Sequence, residues 1–269
     1  MSADDFLSGT SGQVSGVRAT VRAVALDARA DAAALARGWP WRLRAAAAGA
    51  ARRRVLALGV EHDDAPNLLH RAADELRRSR HEVEFAATPV GGRGKFENLG
   101  ALLERHPPEQ CDWLLLIDDD VALPRGFLDT FLFLAERFDL RLAQPAHRFR
   151  SHAAWAVTRR RAGSLVRETA FVEIGPVVAL QRSTFARLLP FPALRYGWGL
   201  DAHWSALARE CGWRIGIVDA TPVQHHMRPI AASYGREQAM AEARTFLADR
   251  PYTPAAQAQR TLAVHRRWG

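Results

Sequence analysis

From Val55 onward the chain alternates short continuous apolar runs with longer stretches in which apolar residues return every three or four positions. "VLALGV" (55–60) reads as a strand, "APNLLHRAADELRRS" (65–79) as a helix behind Pro66, and "HEVEFAAT" (81–88) as a second strand. A helix around "ENLGALLERH" (97–106) and the strand "WLLLI" (113–117) follow, then a helical "PRGFLDTFLFLAERF" (124–138). This order of strand, helix, strand, helix, strand predicts a doubly wound α/β sheet. Because "WLLLI" is apolar throughout rather than alternating, both its faces should be buried in the middle of a parallel sheet. In such sheets, ligands bind beyond the carboxyl ends of the strands.

Before Val55 the pattern is different. Residues 1 to about 50 are rich in Ala and Arg and end in "RGWPWRLRAAAAGAARRR" (37–54), which predicts one or two helices outside the main fold, broken at Pro40. They read as a packing extension or, given Trp39, Trp41 and the flanking arginines, as helices lying on a membrane surface. No stretch reaches the ~18 apolar residues of a membrane span, and the first residues lack a basic segment followed by an apolar one. Cys111 and Cys211 stand far apart, outside any metal-like spacing. A reduced, cytoplasmic protein is therefore expected, with membrane association through the N-terminal helices as its variant.

Composition changes the picture in one respect. The 269 residues are 48% hydrophobic and 25% charged, ordinary globular usage, but the net charge is +8 and favours anionic partners. Nearly all the positive charge is arginine, and Lys95 is the single lysine.

The candidate chemistry follows the apolar strand. "CDWLLLIDDDVALP" (111–124) ends in Asp118, Asp119 and Asp120, and adjacent carboxylates repel unless a cation or base compensates. Mg²⁺ or Mn²⁺ suits carboxylate oxygens together with phosphate oxygens; a solvated acidic turn would read the same way. Upstream, "GGRGKFENLG" (91–100) offers glycines, Lys95 and Asn98, which suit either a diphosphate or a flexible turn. Asp201 opens a helix in "RYGWGLDAHWSALAREC" (195–211), either as its N-cap or as a base toward a hydroxyl. As a base it would be opposed by the helix N-terminus, which favours the ionised form. His225 and His226 close the strand-like "WRIGIVDATPVQHHM" (213–227) and should face opposite ways, so at most one enters a given site.

Taken in order, these pieces resemble the GT-A class of nucleotide-sugar-dependent glycosyltransferases. "GKFENLG" is similar to a segment common in family 2 members. "FVEIGPVVALQRSTFARL" (171–188), "GWGLD" (197–201) and "GIVDATPVQH" (216–225) resemble a plant-common glycosyltransferase family of unassigned function. Tyr196 stands where those relatives often carry histidine. The resemblance implies an α/β GT-A fold, a Rossmann-like mixed sheet flanked by helices, over 53–232. A helical extension (1–52) would precede it and a helical segment (233–269) would pack on it. It implies Asp120, His225 and Asp118 as ligands of Mn²⁺ or Mg²⁺, with Glu61, Lys95, Asn98, Asp118 and Asp119 toward the nucleotide. Asp201 would be the base of an inverting transfer, and Glu173 and Trp198 candidates for the acceptor pocket. For Trp198, between two glycines, a core anchor is the alternative. The implied partners are a nucleoside-diphosphate sugar, with UDP the expected nucleotide, and a saccharide or other hydroxyl acceptor, with no nucleic acid.

Three other readings compete. A phosphatase of the haloacid dehalogenase type also carries D-x-D after an apolar strand, but it needs a downstream lysine, and none follows Lys95. The net charge and the cluster Arg159, Arg160, Arg161 would suit a nucleic-acid or anionic-surface binder, although the aromatic interleaving of single-strand binders is absent and such clusters are usually solvated faces. A noncatalytic nucleotide-sugar binder would share the donor residues.

Overall fold

The computed structural model describes residues 4–10, 12–62, 67–225 and 235–269; Pro66, His226 and the boundary at 232/233 lie outside them. Helices α1 (Val17–Ala36) and α2 (Trp39–Ala48) come first. The first half of the sheet domain then runs β1 (Arg54–Glu61), α3 (Leu69–Arg77), β2 (Glu82–Pro89), α4 (Lys95–Arg105), β3 (Trp113–Asp118), β4 (Val121–Ala122) and α5 (Phe127–Arg137). The second half supplies β5 (Leu140–His147), β6 (Val166–Thr169), β7 (Val177–Gln181), α6 (Phe185–Leu188), α7 (Leu200–Glu210) and β8 (Arg214–His225). Beyond residue 235 come α8 (Arg236–Leu247), α9 (Ala255–Ala258) and β9 (Thr261–His265).

The strand order is β2-β1-β3-β7-β5-β8-β6-β9, with β4 paired to β8. β3 is central and buried on both faces, as its unbroken apolar run requires, but it is not inside a parallel sheet. β1 flanks it in parallel and β7 in antiparallel orientation. Alternation along the strand sends Leu114 and Leu116 into one core with Phe96 of α4 and Trp204 of α7. Trp113, Leu115 and Ile117 enter the other core, with Leu69 of α3 and Phe131 of α5. Helices thus cover both faces, and the three consecutive acids stand at the carboxyl end of β3.

The terminal segments differ from expectation in two details. Pro40 does not break a helix: it sits in the first turn of α2, where its missing N–H would have no intrahelical partner, and the break falls at Gly38, whose φ is 66°. The segment after 235 is not only helical. α8 buries Ala243, Phe246 and Leu247 in the core shared by α4 and α7, and β9 extends the sheet by pairing with β6.

α1 is fastened to the domain by charge. Asp27, 7% exposed, accepts hydrogen bonds from the Phe149 and Arg150 N–H groups and from Arg160. Arg160 also bonds Asp31 at 2.8 Å. Arg159 donates to the carbonyls of Phe149, Ser151 and Gly12. Two of the three consecutive arginines therefore face inward, and only Arg161 stays exposed. Because Asp27→Ala leaves a buried guanidinium and two N–H groups short of an acceptor, it should lower unfolding free energy in urea by about 3–5 kcal/mol. A loss below about 1 kcal/mol would show that the extension is not integral to the fold.

Candidate active site

Positions two apart at the end of a strand face the same way. Asp118 and Asp120 share a side, and Asp119 between them turns to the other. β4 then pairs antiparallel with β8, setting Val121 opposite His225, so that Asp120 lies beside the histidine. One oxygen each of Asp118 and Asp120 and one ring nitrogen of His225 all lie within 4.8 Å of one another. His225 Nε2 is 3.2 Å from Asp120 Oδ1.

Each of the three acids has a basic partner. Asp118 is 2.6 Å from Lys95 Nζ, which also donates to the carbonyl of Ile174. Asp119 accepts from the His62 N–H at 2.8 Å and lies 3.1 Å from His62 Nδ1, holding the residue that follows β1. Lys95 is the first residue of α4, the end where the helix dipole disfavours a cation, so the Asp118 contact is what balances it there. Gly94 lets that helix start: a Cβ there would lie 1.9 Å from the Arg195 carbonyl oxygen.

This donor set fits a hard divalent cation: two carboxylates and an imidazole, with only Asp118 markedly open to solvent. The pocket has also been left room, since a Cβ at Gly175 would stand 2.8 Å from Asp118 Oδ2 and 3.3 Å from Lys95 Nζ. Burial alone would lower the His225 pKa, but the hydrogen bond to Asp120 and the nearby Asp118 and Glu173 outweigh it and raise the value. Its Nδ1 is buried without a hydrogen-bond partner among the described residues.

Glu173 lies across from this cluster, 9% exposed, in the segment before β7. Its carboxylate is 3.0 Å from His147 Nε2 and accepts from Gln144 Nε2 at 3.2 Å. His147 Nδ1 lies 3.0 Å from the His152 carbonyl, which fixes the ring. Sequence reasoning missed both Gln144 and His147. The available signal was Gln144 and His147 at buried positions of β5, "LRLAQPAH", whose third polar residue, Arg141, is only partly buried.

Asp201 is not the N-cap of α7. That position belongs to Gly199, at φ 83°, and Asp201 falls inside the first turn, accepting from the Ala202 N–H at 2.9 Å. Its surface keeps some solvent contact, yet lost hydration from the surrounding protein, followed by repulsion from Glu173, pushes its pKa up to about 7. The backbone N–H bonds and Lys95 pull the other way and lose. Burial thus outweighs the helix N-terminus in setting this acid's proton affinity.

The remaining candidates are placed as follows. Asn98 is buried in α4 and donates to the Val90 carbonyl at 2.8 Å, joining α4 to the end of β2. Glu61 is half-buried at the end of β1, one residue past Val60, which is in register with Asp118. Trp198 is partly buried against the core of α4 and α7, held between Gly197 and Gly199, both in left-handed backbone. Tyr196 donates its hydroxyl to Gln238 Oε1.

The structure is similar to that of the mannosyltransferase PcManGT from Pyrobaculum calidifontis in complex with GDP-Man and Mn²⁺, at a TM-score of 0.51 and 17% identity, over 89% of this chain and 79% of that one. The fold is that of the GT-A glycosyltransferases. Likenesses to GalNAc-T7 with UDP, GalNAc and Mn²⁺ (TM-score 0.42, 11% identity, 66% of this chain and 44% of that one) and to A197 from STIV (0.45, 10%, 65% and 87%) are too distant to carry an argument. No protein-family model and no curated protein matches the chain.

The raised Asp201 pKa has a thermodynamic consequence. Between the ordinary value of 3.8 and about 7 the folded chain holds a proton that the unfolded chain has released, so this group makes stability fall as pH rises and level off above about 7. Asp201→Asn should remove that slope and be more stable than wild type at pH 8 by on the order of 2–4 kcal/mol. Parallel stability curves for the two proteins from pH 4 to 8 would contradict the assignment.

Proposed function

We propose that the protein is a metal-dependent glycosyltransferase that moves a sugar from a nucleoside-diphosphate sugar to an acceptor hydroxyl. The observation that carries this reading is the convergence of Asp118, Asp120 and His225 at the carboxyl end of the central strand, with Lys95 on one side and the proton-retaining Asp201 nearby. The GT-A fold agrees with it, and the solved structure of similar fold holds GDP-Man and Mn²⁺.

Asp118, Asp120 and His225 would hold the cation. When bound, it stabilises the negative charge that grows on the departing diphosphate. Lys95, the one mobile ammonium of the chain, would add positive charge to the same phosphates by exchanging its Asp118 contact for them. Asp119 would act indirectly, fixing the loop after β1 at the nucleotide end through His62. Asp201 would take the proton of the acceptor hydroxyl as it attacks the anomeric carbon from the side opposite the diphosphate, which gives inversion. A base with a pKa near 7 is matched to that task at neutral pH. Glu173, held by Gln144 and His147, would present a carboxylate to the hydroxyls of the sugar or acceptor.

Among the described residues, no helix is long and apolar enough to cross a membrane. The outer face of α1 nevertheless exposes Val17, Val21 and Val24 beside Arg18 and Arg22, while its two acids are ion-paired to arginines of the domain. That combination supports peripheral contact with an anionic lipid surface as part of the proposal.

Thermal unfolding with UDP, GDP, TDP, CDP and ADP, each with and without Mn²⁺, tests the donor site. The cognate nucleotide at about 100 times its Kd should stabilise the protein by about 2.7 kcal/mol only when metal is present, and Asp120→Asn should abolish the effect. No stabilisation by any nucleotide would overturn the donor site. Once the donor is known, Asp201→Asn should reduce kcat about 10²–10⁴-fold. Wild-type kcat should climb with pH through about 7, the region in which Asp201 loses its proton. A pH-independent rate, or an Asp201→Asn variant of undiminished kcat, would exclude it as the base.

A further inference from the structure

A cavity of about 340 Å³, away from the candidate active site, lies between the N-terminal helices and the sheet domain. Its floor is the turn from β4 into α5 and the middle of β8; its roof is α1 and α2. The β4–β8 strand pair that carries Asp120 and His225 leads into its wall, since Pro124 and Pro222 line it on either strand just beyond the pairing.

Five arginines line this space, and the acids among them are already used. Arg148 and Arg160 pair with Asp31, and Asp219 takes two hydrogen bonds from Arg167. Arg44, Arg125 and Arg161 have no acidic partner among the described residues. The cavity also meets the N-terminus of α5, an 11-residue helix whose N-cap, Gly126, offers no side-chain acceptor to the N–H groups that follow, while the Gly126 N–H itself donates to Glu75 Oε1 at 2.5 Å. Asp129 in that first turn is engaged elsewhere, accepting from Ser79 Oγ and the Arg80 N–H. Thr221, on the cavity lining, is 4% exposed and its hydroxyl has no hydrogen-bond partner among the described residues. Buried hydroxyls are normally satisfied, so an unpaired one beside a cavity calls for an acceptor.

We propose that this cavity binds a phosphate ester. Arginine forks, helix N–H groups and a hydroxyl are all donors, and their joint positive potential suits a tetrahedral dianion. Trp39 and Leu43 from the roof and Phe127 from the floor add apolar residues to the lining for the organic part of the ester. The volume falls in the range of small-molecule sites. The ester is either a soluble metabolite or the headgroup of a lipid whose chains leave past the exposed Leu35 at the cavity edge.

Calorimetric titration of the metal-free, full-length protein with glycerol 3-phosphate and with monomeric dihexanoyl phosphatidic acid tests the proposal and separates the sources. Equal binding of both identifies a soluble ester, and binding of the lipid alone a headgroup. Arg125→Gln and Arg161→Gln should each weaken binding about tenfold, whereas Arg18→Gln, on the outer face of α1, should not. Thr221→Val guards against misfolding as an explanation: it removes a hydroxyl without a partner, so stability should hold while affinity falls. Asp120→Asn should bind as wild type does, which keeps this site separate from the proposed donor site. No binding of either probe, affinity unchanged in the arginine variants, or binding lost in Asp120→Asn would overturn the assignment.

Discussion

Holding three adjacent carboxylates at the end of a buried strand is the constraint around which the molecule is arranged. In water such a run would be a solvated turn. Here Asp119 and Asp120 are 3% and 5% exposed, where unpaired charge costs several kcal/mol. The fold answers with one base per acid, each from a different element: His62 from the loop after β1, Lys95 from the start of α4, and His225 from the end of β8. The three elements surrounding the carboxyl end of β3 are thereby fixed by charge as well as by packing. A bound cation would change the balance at Asp118 and Asp120 without disturbing Asp119, whose contacts belong to the loop.

What could be read from the sequence, and what could not, divides along physical lines. β1, α3, β2, α4, β3 and α5 were legible because each buries its apolar side against a helix or sheet, so the period of burial is the period of the sequence. Lys95 was legible as the single lysine of the chain, but its contact with Asp118 was not, because nothing local pairs the start of α4 with the end of β3. The antiparallel partner of β3 was not legible: β7 arrives from about 60 residues downstream in the chain, and nothing local encodes that pairing. β5 hid Gln144 and His147 among apolar neighbours, and β9 lies in a tail that was expected to be helical. Asp201 shows the limit of local rules in another way. Its position in the first helical turn argues for a low pKa, and only the packing and Glu173 around it, both nonlocal, reverse the sign.

The Glu173–His147–Gln144 network ties these observations together. Glu173 raises the pKa of Asp201 from a distance, and it contributes to raising that of His225 as well. Both effects follow from one buried carboxylate whose charge acts on a second carboxylate and on an imidazole. It favours retention of a proton on each of the groups flanking it. Gln144 donates to Glu173, and His147 stands against the same oxygen, so the charge that does this is held in a fixed position rather than on a free side chain.

The same logic extends to the N-terminal helices. An appendage attached by apolar contact alone could leave without disturbing the sheet. α1 instead gives Asp27 and Asp31 to Arg160 and Arg148, and Asp27 takes backbone N–H groups of the segment after β5. Arg159 reaches Gly12 from the same segment, and His152 Nδ1 accepts from the Val14 N–H. His152 in turn supplies the carbonyl that meets His147 and hydrogen-bonds through its own N–H to the carbonyl of His225. A chain of direct contacts therefore runs from the N-terminal segment through residues 147–152 to the histidine of the metal cluster. Any ligand that moves α1 against the sheet must either break those charge-assisted bonds or carry the movement toward His225.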